Sequence, residues 1–284
     1  MDTSKPVLLI DCLFWMHRAF NALPKLNNKY GEPTGALYGV LRMLRRLLLE
    51  YQPEYVAVVL DAPGKTFRHK MFSEYKATRK PLDLALAQQI GPMCAFIRAL
   101  GLTVLQVVGV EADDVIGTLT QQASSLELPV IIISGDKDLS QLVDYKVWIV
   151  DAMNNNMVTD ISKVKNKFGV TPNLIGDWLA LVGDIVDNIP GIPGVGAVTA
   201  TKWLHKYGSL DGIIANASAI PGRVGEKLRF GIKNLLLSRQ LVTLDCRVQL
   251  PITFEEIHIT APDTILLRYL YQRYEFSSWL SEKI

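Results

Sequence analysis

The stretch PVIIISGD, residues 129 to 136, sets four β-branched residues between a proline and a Ser-Gly pair and ends in an aspartate. An apolar run this short, bounded by turn residues, has the length and composition of a strand covered on both faces. Four more runs share the form: PVLLID (6 to 11), YVAVVLD (55 to 61), TVLQVV (103 to 108) and KVWIVD (146 to 151). Helical patterns occupy the intervals at about 35 to 51, 83 to 100 and 111 to 125, with Thr34 at the N-cap position of the first. Strands alternating with helices predict an α/β fold with a mainly parallel central sheet. After residue 160 the strand signal fades, and helix patterns follow at about 160 to 168, 172 to 182, 197 to 206, 209 to 216 and 224 to 243. The expected organisation is therefore two domains, 1–170 and 171–284, the second all-α.

Composition narrows the class. A hydrophobic content of 49% against 20% charged residues supports a filled core and a soluble protein. The early apolar run, Val7 to Met16, is interrupted by Asp11 and lacks a small-residue cleavage site, and no stretch is long enough to span a bilayer. Cys12, Cys94 and Cys246 are far apart and odd in number, which argues against both a disulfide framework and a zinc site and fits a reducing cytoplasm.

Asp11, Asp61 and Asp136 each close one of the strand runs, and Asp138 follows two positions on. In an open parallel sheet, sites form outside the carboxyl ends of the strands, so these acids converge on one edge. GVEADDVIG (109 to 117) adds Glu111, Asp113 and Asp114 at the start of a helix, where acids also complement the helix dipole. Asp184 and Asp187, in GDIVDNIPGIPGVG, would share a face if that segment were helical. Like charges ~4 Å apart repel by about 4 kcal/mol at an effective dielectric near 20, so such a cluster requires cations. All-oxygen ligation suits Mg²⁺ or Mn²⁺, and two such ions could clamp the oxygens of an in-line phosphoryl displacement.

The net charge of +2 conceals two basic tracts. Residues 64 to 81 carry six Lys or Arg against Glu74, interleaved with Phe67, Phe72 and Tyr75, which reads either as an amphipathic surface helix or as a mobile element that grips single strands. Residues 197 to 239 carry seven against two acids. GIPGVGAVTA (191 to 200), ahead of a helix, can form a backbone nest for a phosphate through Gly191, Gly194, Val195, Gly196 and Thr199, although a helix-packing corner could use the same residues.

As an ordered set, GEPTGALYGVL, FRHKMFSEYKATR, GVEADDVIGTL, SGDKDLSQLV and GDIVDNIPGIPGVG resemble the 5′ nucleases that include the front domain of bacterial DNA polymerase I and the flap endonucleases. The resemblance covers about residues 6 to 276. It implies a PIN-like core, a helical arch at about 64–100, and a C-terminal helix-three-turn-helix (helix-hairpin-helix) DNA-binding module, often with K⁺. It implies two-metal cleavage at 5′ flaps, nicks and ends of DNA, RNA primers included, in replication and repair, by a monomer in the bacterial cytoplasm and nucleoid. One metal would be held by Asp11, Asp61, Glu111, Asp113 and Asp114, directly or through water, and the other by Asp136, Asp138, Asp184 and Asp187. Lys76 and Arg79, with Arg18 and Arg68, would face the scissile phosphate or the 5′ strand, and Thr34 and Tyr75 would join the DNA contacts. Four features depart from the family pattern: Cys12 and Leu13 after the first aspartate, Val186 before the last, Ala197 and Val198 in the hairpin, and LDLALAQQ (82 to 89), which lacks an arginine. Every metal ligand is retained, so the departures bear on DNA grip more than on chemistry. A DNA-binding protein of the same fold without turnover, and a PIN-type ribonuclease, stand as alternatives. SSWLSEKI (277 to 284) suits either a complete nuclease or one joined to a polymerase.

Overall fold

The computed structural model describes residues 5–279; the final residues of SSWLSEKI lie outside them. In chain order the elements are β1 (Val7–Asp11), α1 (Cys12–Ala22), α2 (Gly35–Tyr51), β2 (Val56–Val59), α3 (Phe67–Met71), α4 (Leu84–Ala99), β3 (Thr103–Leu105), α5 (Ala112–Ser125), β4 (Val130–Ile133), β5 (Val147–Asp151), β6 (Met157–Thr159), α6 (Ile161–Phe168), α7 (Ile175–Val182), α8 (Ala197–Tyr207), α9 (Leu210–Ala215), α10 (Gly222–Val242) and α11 (Thr264–Arg273). The strands line up β3-β2-β1-β4-β5-β6, all parallel except the β5–β6 pair. β6, Met-Val-Thr, is too short and too exposed to leave an alternation in the sequence.

The chain runs from β1 outward through β2 to β3, then returns to the opposite side of β1 for β4, placing the topological switch between β1 and β4. Ile10 pairs with both Val58 and Ile133, so three strands reach the same edge together. β2 ends at Val59 and β4 at Ile133, which leaves Asp61 and Asp136 in the loops beyond.

Side chains alternate across β1. Leu8 and Ile10 pack with α1, α2, α4 and α11, whereas Val7 and Leu9 join a core built from α5 to α10. The two cores are thus divided by the faces of the sheet: α11, late in the chain, packs beside α4, and the helices after residue 160 continue the core under the opposite face.

The basic tract 64–81 is neither a long amphipathic helix nor detached. α3 is little more than one turn, and a series of turns follows to Arg79. Asp83 caps α4, whose Leu86, Met93, Phe96 and Ile97 are buried in the core, so residues 84–99 form a packed helix and 64–83 lie over the carboxyl edge of the sheet. Among the described residues no helix is long and apolar enough to cross a membrane.

Candidate active site

Seven of the nine predicted carboxylates line one cavity of about 310 Å³ at that edge: Asp11, Asp61, Glu111, Asp113, Asp136, Asp138 and Asp187. They come from five segments of the chain. Asp11 ends β1 and caps α1, accepting from the Phe14 amide at 3.2 Å with one oxygen and from the Ser134 hydroxyl at 2.9 Å with the other. Ser134, fully buried, also accepts from the Asp136 amide at 3.1 Å, so one hydroxyl ties the end of β4 to the end of β1. Asp61 accepts from the Ala112 amide at 2.8 Å and so satisfies a free N–H in the first turn of α5. Asp136 in turn accepts from the Asp138 amide at 2.9 Å. Glu111, at the N-cap of α5, accepts from the Tyr75 hydroxyl at 3.0 Å and Lys76 Nζ at 2.7 Å.

The other two acids lie outside the cavity lining. Asp114 is wholly buried and turned away from the cavity; Arg68 donates to its two oxygens at 2.6 and 2.7 Å, and the Glu111 and Asp245 amides donate at 3.1 and 2.9 Å. Asp184 and Asp187 lie in a tight loop closed by an Asp184–Ile189 bridge, not on a helix. That loop turns Asp187 into the cavity, where it meets Arg79, and leaves Asp184 outside it, paired with Lys137.

The cations are likewise redistributed. Arg68 is buried at the cavity wall and also donates to the Leu241 and Thr243 carbonyls, so it anchors residues 64–83 to α5 and the end of α10. Tyr75 lines the cavity, buried against Glu111, and Thr34 is buried at the start of α2 without a side-chain capping bond. Arg18 stands over Phe14 and Trp15 and pairs at 2.8 Å with Asp151, another strand-ending acid that this pairing holds apart from the cavity. Lys76 and Arg79 do reach the cavity. Three participants had no role in the sequence reading: Ser134, Lys137 and His17, which lines the cavity and whose imidazole is pushed down by burial and by Arg79. Lys137 and Ser134 sit inside SGDKD, where the acids drew the attention.

Electrostatic stress concentrates on three acids. Burial, with the charges of Asp136 and Asp61 adding, pushes Asp11 up to about 7 in spite of its hydrogen bonds. Burial and Asp136 push Asp138 up to about 6, and burial followed by four neighbouring aspartates drives Asp113 well above the carboxylate range. Asp184 is the reverse: burial opposes its ionisation, but Lys137 and two backbone amides outweigh it and hold its carboxyl low.

Among the described residues no three of these groups form a ready-made coordination sphere; instead Lys76, Arg79 and Lys137 are interleaved between the acids. The donor set still fits a hard divalent cation, being all carboxylate oxygen. Asp138 Oδ1 strengthens the fit: it is buried, forms no regular hydrogen bond and has Lys137 Nζ at 3.2 Å.

Beyond this edge the glycine segment crosses itself. A Cβ on Gly191 (φ +58°) would stand 2.6 Å from the Gly183 nitrogen, and one on Gly183 (φ +77°) would stand 2.6 Å from the Ile189 carbonyl oxygen. The Ser238 hydroxyl of α10 accepts from the Gly191 amide at 3.3 Å and Val195 is buried, so these two residues hold the turn to the helices. Gly194 and Gly196 face outward with Lys227 near the first, and Gly196 is the N-cap of α8, with Thr199 half-buried in its first turn.

A carboxylate-rich cavity at the switch point of a parallel sheet, edged by Lys and Arg and followed by a glycine turn opening a helix, defines a nuclease that hydrolyses phosphodiesters. Comparison with known proteins agrees. Residues 6–169 match the model of the 5′-3′ exonuclease N-terminal resolvase-like domain, and residues 170–265 that of the 5′-3′ exonuclease C-terminal SAM fold. The chain is 43% identical to DNA polymerase I of Pseudomonas aeruginosa over 99% of its own length but 31% of that protein, and 40% identical to the 5′-3′ exonuclease of Aquifex aeolicus over 98% and 95%. It shares its fold with the bacteriophage T5 D15 flap endonuclease in a complex with DNA and metal ions, at a TM-score of 0.70 and 22% identity over 84% of this chain and 89% of that one. The chain belongs to the 5′-3′ exonuclease family.

Proposed function

We propose that the chain is a structure-specific 5′ nuclease that uses two divalent ions, Mg²⁺ or Mn²⁺, to cut DNA at 5′ flaps, nicks and ends, RNA primers included. The observation that carries this reading is the meeting of seven carboxylates from five chain segments in one cavity that Lys76 and Arg79 also line. Asp11, Asp61, Glu111 and Asp113 would hold one ion, and Asp136, Asp138 and Asp187 the other, with Asp184 supporting the loop that presents Asp187. Bound there, the ions would supply the counter-charge the acids lack and polarise the phosphate.

The protein's own residues do the rest. Lys76 and Arg79, now on Glu111 and Asp187, would transfer to the phosphate as charge develops on its oxygens. Ser134 and the Ala112 amide keep Asp11 and Asp61 oriented throughout. The exposed Gly194 and Gly196, with the basic α10, would hold the duplex backbone independently of sequence, with K⁺ as an accompanying ion. The chain would act as a cytoplasmic monomer, alongside or joined to a DNA polymerase.

Product mapping on an end-labelled 5′-flap substrate tests this. The expected result is cleavage near the flap junction only with Mg²⁺ or Mn²⁺, and slower cutting of structured RNA. Tight flap binding without cleavage in either metal would favour a binding protein instead.

A further inference from the structure

On the face of the sheet covered by α1 and α2 lies a groove of about 430 Å³ that shares no lining residue with the acidic cavity. Leu23, Tyr38, Met43 and Met153 form its apolar floor, and Arg42 and Arg46 of α2 stand at its rim. Tyr38 is the only ring in the lining, and it is already stacked on Trp279 with centroids 5.1 Å apart, so the rest of the floor is aliphatic and thioether. Both guanidinium groups belong to exposed residues, and neither forms an ion pair among the described residues. Arg46 instead donates to two neutral acceptors, the Ala152 carbonyl and Asn156 Oδ1, which fix it against the turn between β5 and β6. Glu50, the only acid of α2, accepts from Asn156 at 2.6 Å and stays out of the lining.

We infer that this groove docks an acidic segment of a partner protein, one that carries aliphatic or aromatic side chains between its carboxylates. Charge fixes the occupant. The two rim arginines lack a paired counter-charge, the lining holds no carboxylate, and a guanidinium takes a carboxylate through two parallel hydrogen bonds. The floor agrees, because the unbranched thioethers of Met43 and Met153 adapt to side chains of differing shape, as a peptide-binding surface requires. A nucleic acid would answer the arginines but not this floor: Tyr38 already gives one face of its ring to Trp279, and the other side chains offer a base no ring to stack on. Since the groove and the acidic cavity have no residue in common, a partner seated here would leave the cavity free to work. The inference does not depend on the nuclease reading.

The test is fluorescence anisotropy with the full chain and three short labelled peptides: one alternating aspartate with leucine and phenylalanine, one with lysine in place of each aspartate, and one with serine in place of each apolar residue. The wild type should bind the first saturably, one per chain, and each of the others at least about fivefold more weakly. Arg42→Glu, which has no ion pair to lose, should reverse the order of the aspartate and lysine peptides. Met153→Ser should weaken the aspartate peptide without changing that order. Thermal melting verifies that both variants fold, and both should bind and cut a 5′-flap substrate as the wild type does. No saturable binding of the aspartate peptide by the wild type would overturn the inference, as would an unchanged order of peptides in Arg42→Glu. Weaker flap binding by Arg42→Glu would assign the rim to nucleic acid and overturn it as well.

Discussion

Arg68 holds Asp114 through two guanidinium nitrogens at 2.6 and 2.7 Å, in a pair whose side chains are 2% and 0% exposed. The pair anchors residues 64–83 beneath the cavity and orients Glu111 through a third contact at 3.4 Å. Breaking a buried pair leaves an uncompensated charge, so Arg68→Met should lower unfolding free energy by about 3 to 5 kcal/mol in a urea titration. A variant with unchanged stability and reduced DNA affinity would return Arg68 to the strand-gripping role the sequence suggested.

The acids should make metal binding pH-dependent. Asp11 and Asp138, with folded values near 7 and 6 against 3.8 unfolded, bind more protons in the native state through that interval. Their contribution to stability without metal therefore falls as pH rises from about 4 to 7. Divalent ions compete with those same protons. Calorimetry of Mg²⁺ binding at pH 6.5 in buffers of differing ionisation enthalpy should detect release of roughly one proton or more per chain; no release would show these carboxyls already ionised.

Ser134→Ala removes a hydrogen bond to the ionised form of Asp11. The acid limb of the cleavage–pH profile should move upward, with kcat falling and flap affinity retained. An unmoved profile would make Ser134 a packing residue only.

Gly191→Ala must place a Cβ within 2.6 Å of backbone at a positive φ, whereas Gly196→Ala meets nothing within 4 Å. The first should destabilise by more than ~1 kcal/mol. The second should leave melting nearly unchanged and weaken binding to nicked duplex if the α8 amides contact a phosphate. Equal melting temperatures for both variants would contradict the crossing described here.

Much of this was legible in the sequence because of direction. Parallel strands share an exit edge, so Asp11, Asp61 and Asp136 could be assigned to one site from run endings, and α2 and α5 from apolar period. Adjacent residues were the difficulty. Asp113 and Asp114 lie about 100° apart on a helix, and only the buried Arg68 decides which one turns from the cavity. Asp184 and Asp187 were separated by a loop conformation that their spacing does not encode. Lys137, Tyr75 and Arg68 acquire their roles from partners 30 or more residues away, a relation no local pattern carries.

The most direct test of the carboxylate cavity as a two-ion site is a Mn²⁺ titration followed by electron paramagnetic resonance, on the wild type and on Asp113→Asn/Asp136→Asn. Saturable binding of two ions per chain is expected for the wild type, with affinity at least about tenfold weaker in the variant because two ligand charges are gone. Binding that is absent in the wild type, or equal in the two proteins, would contradict it.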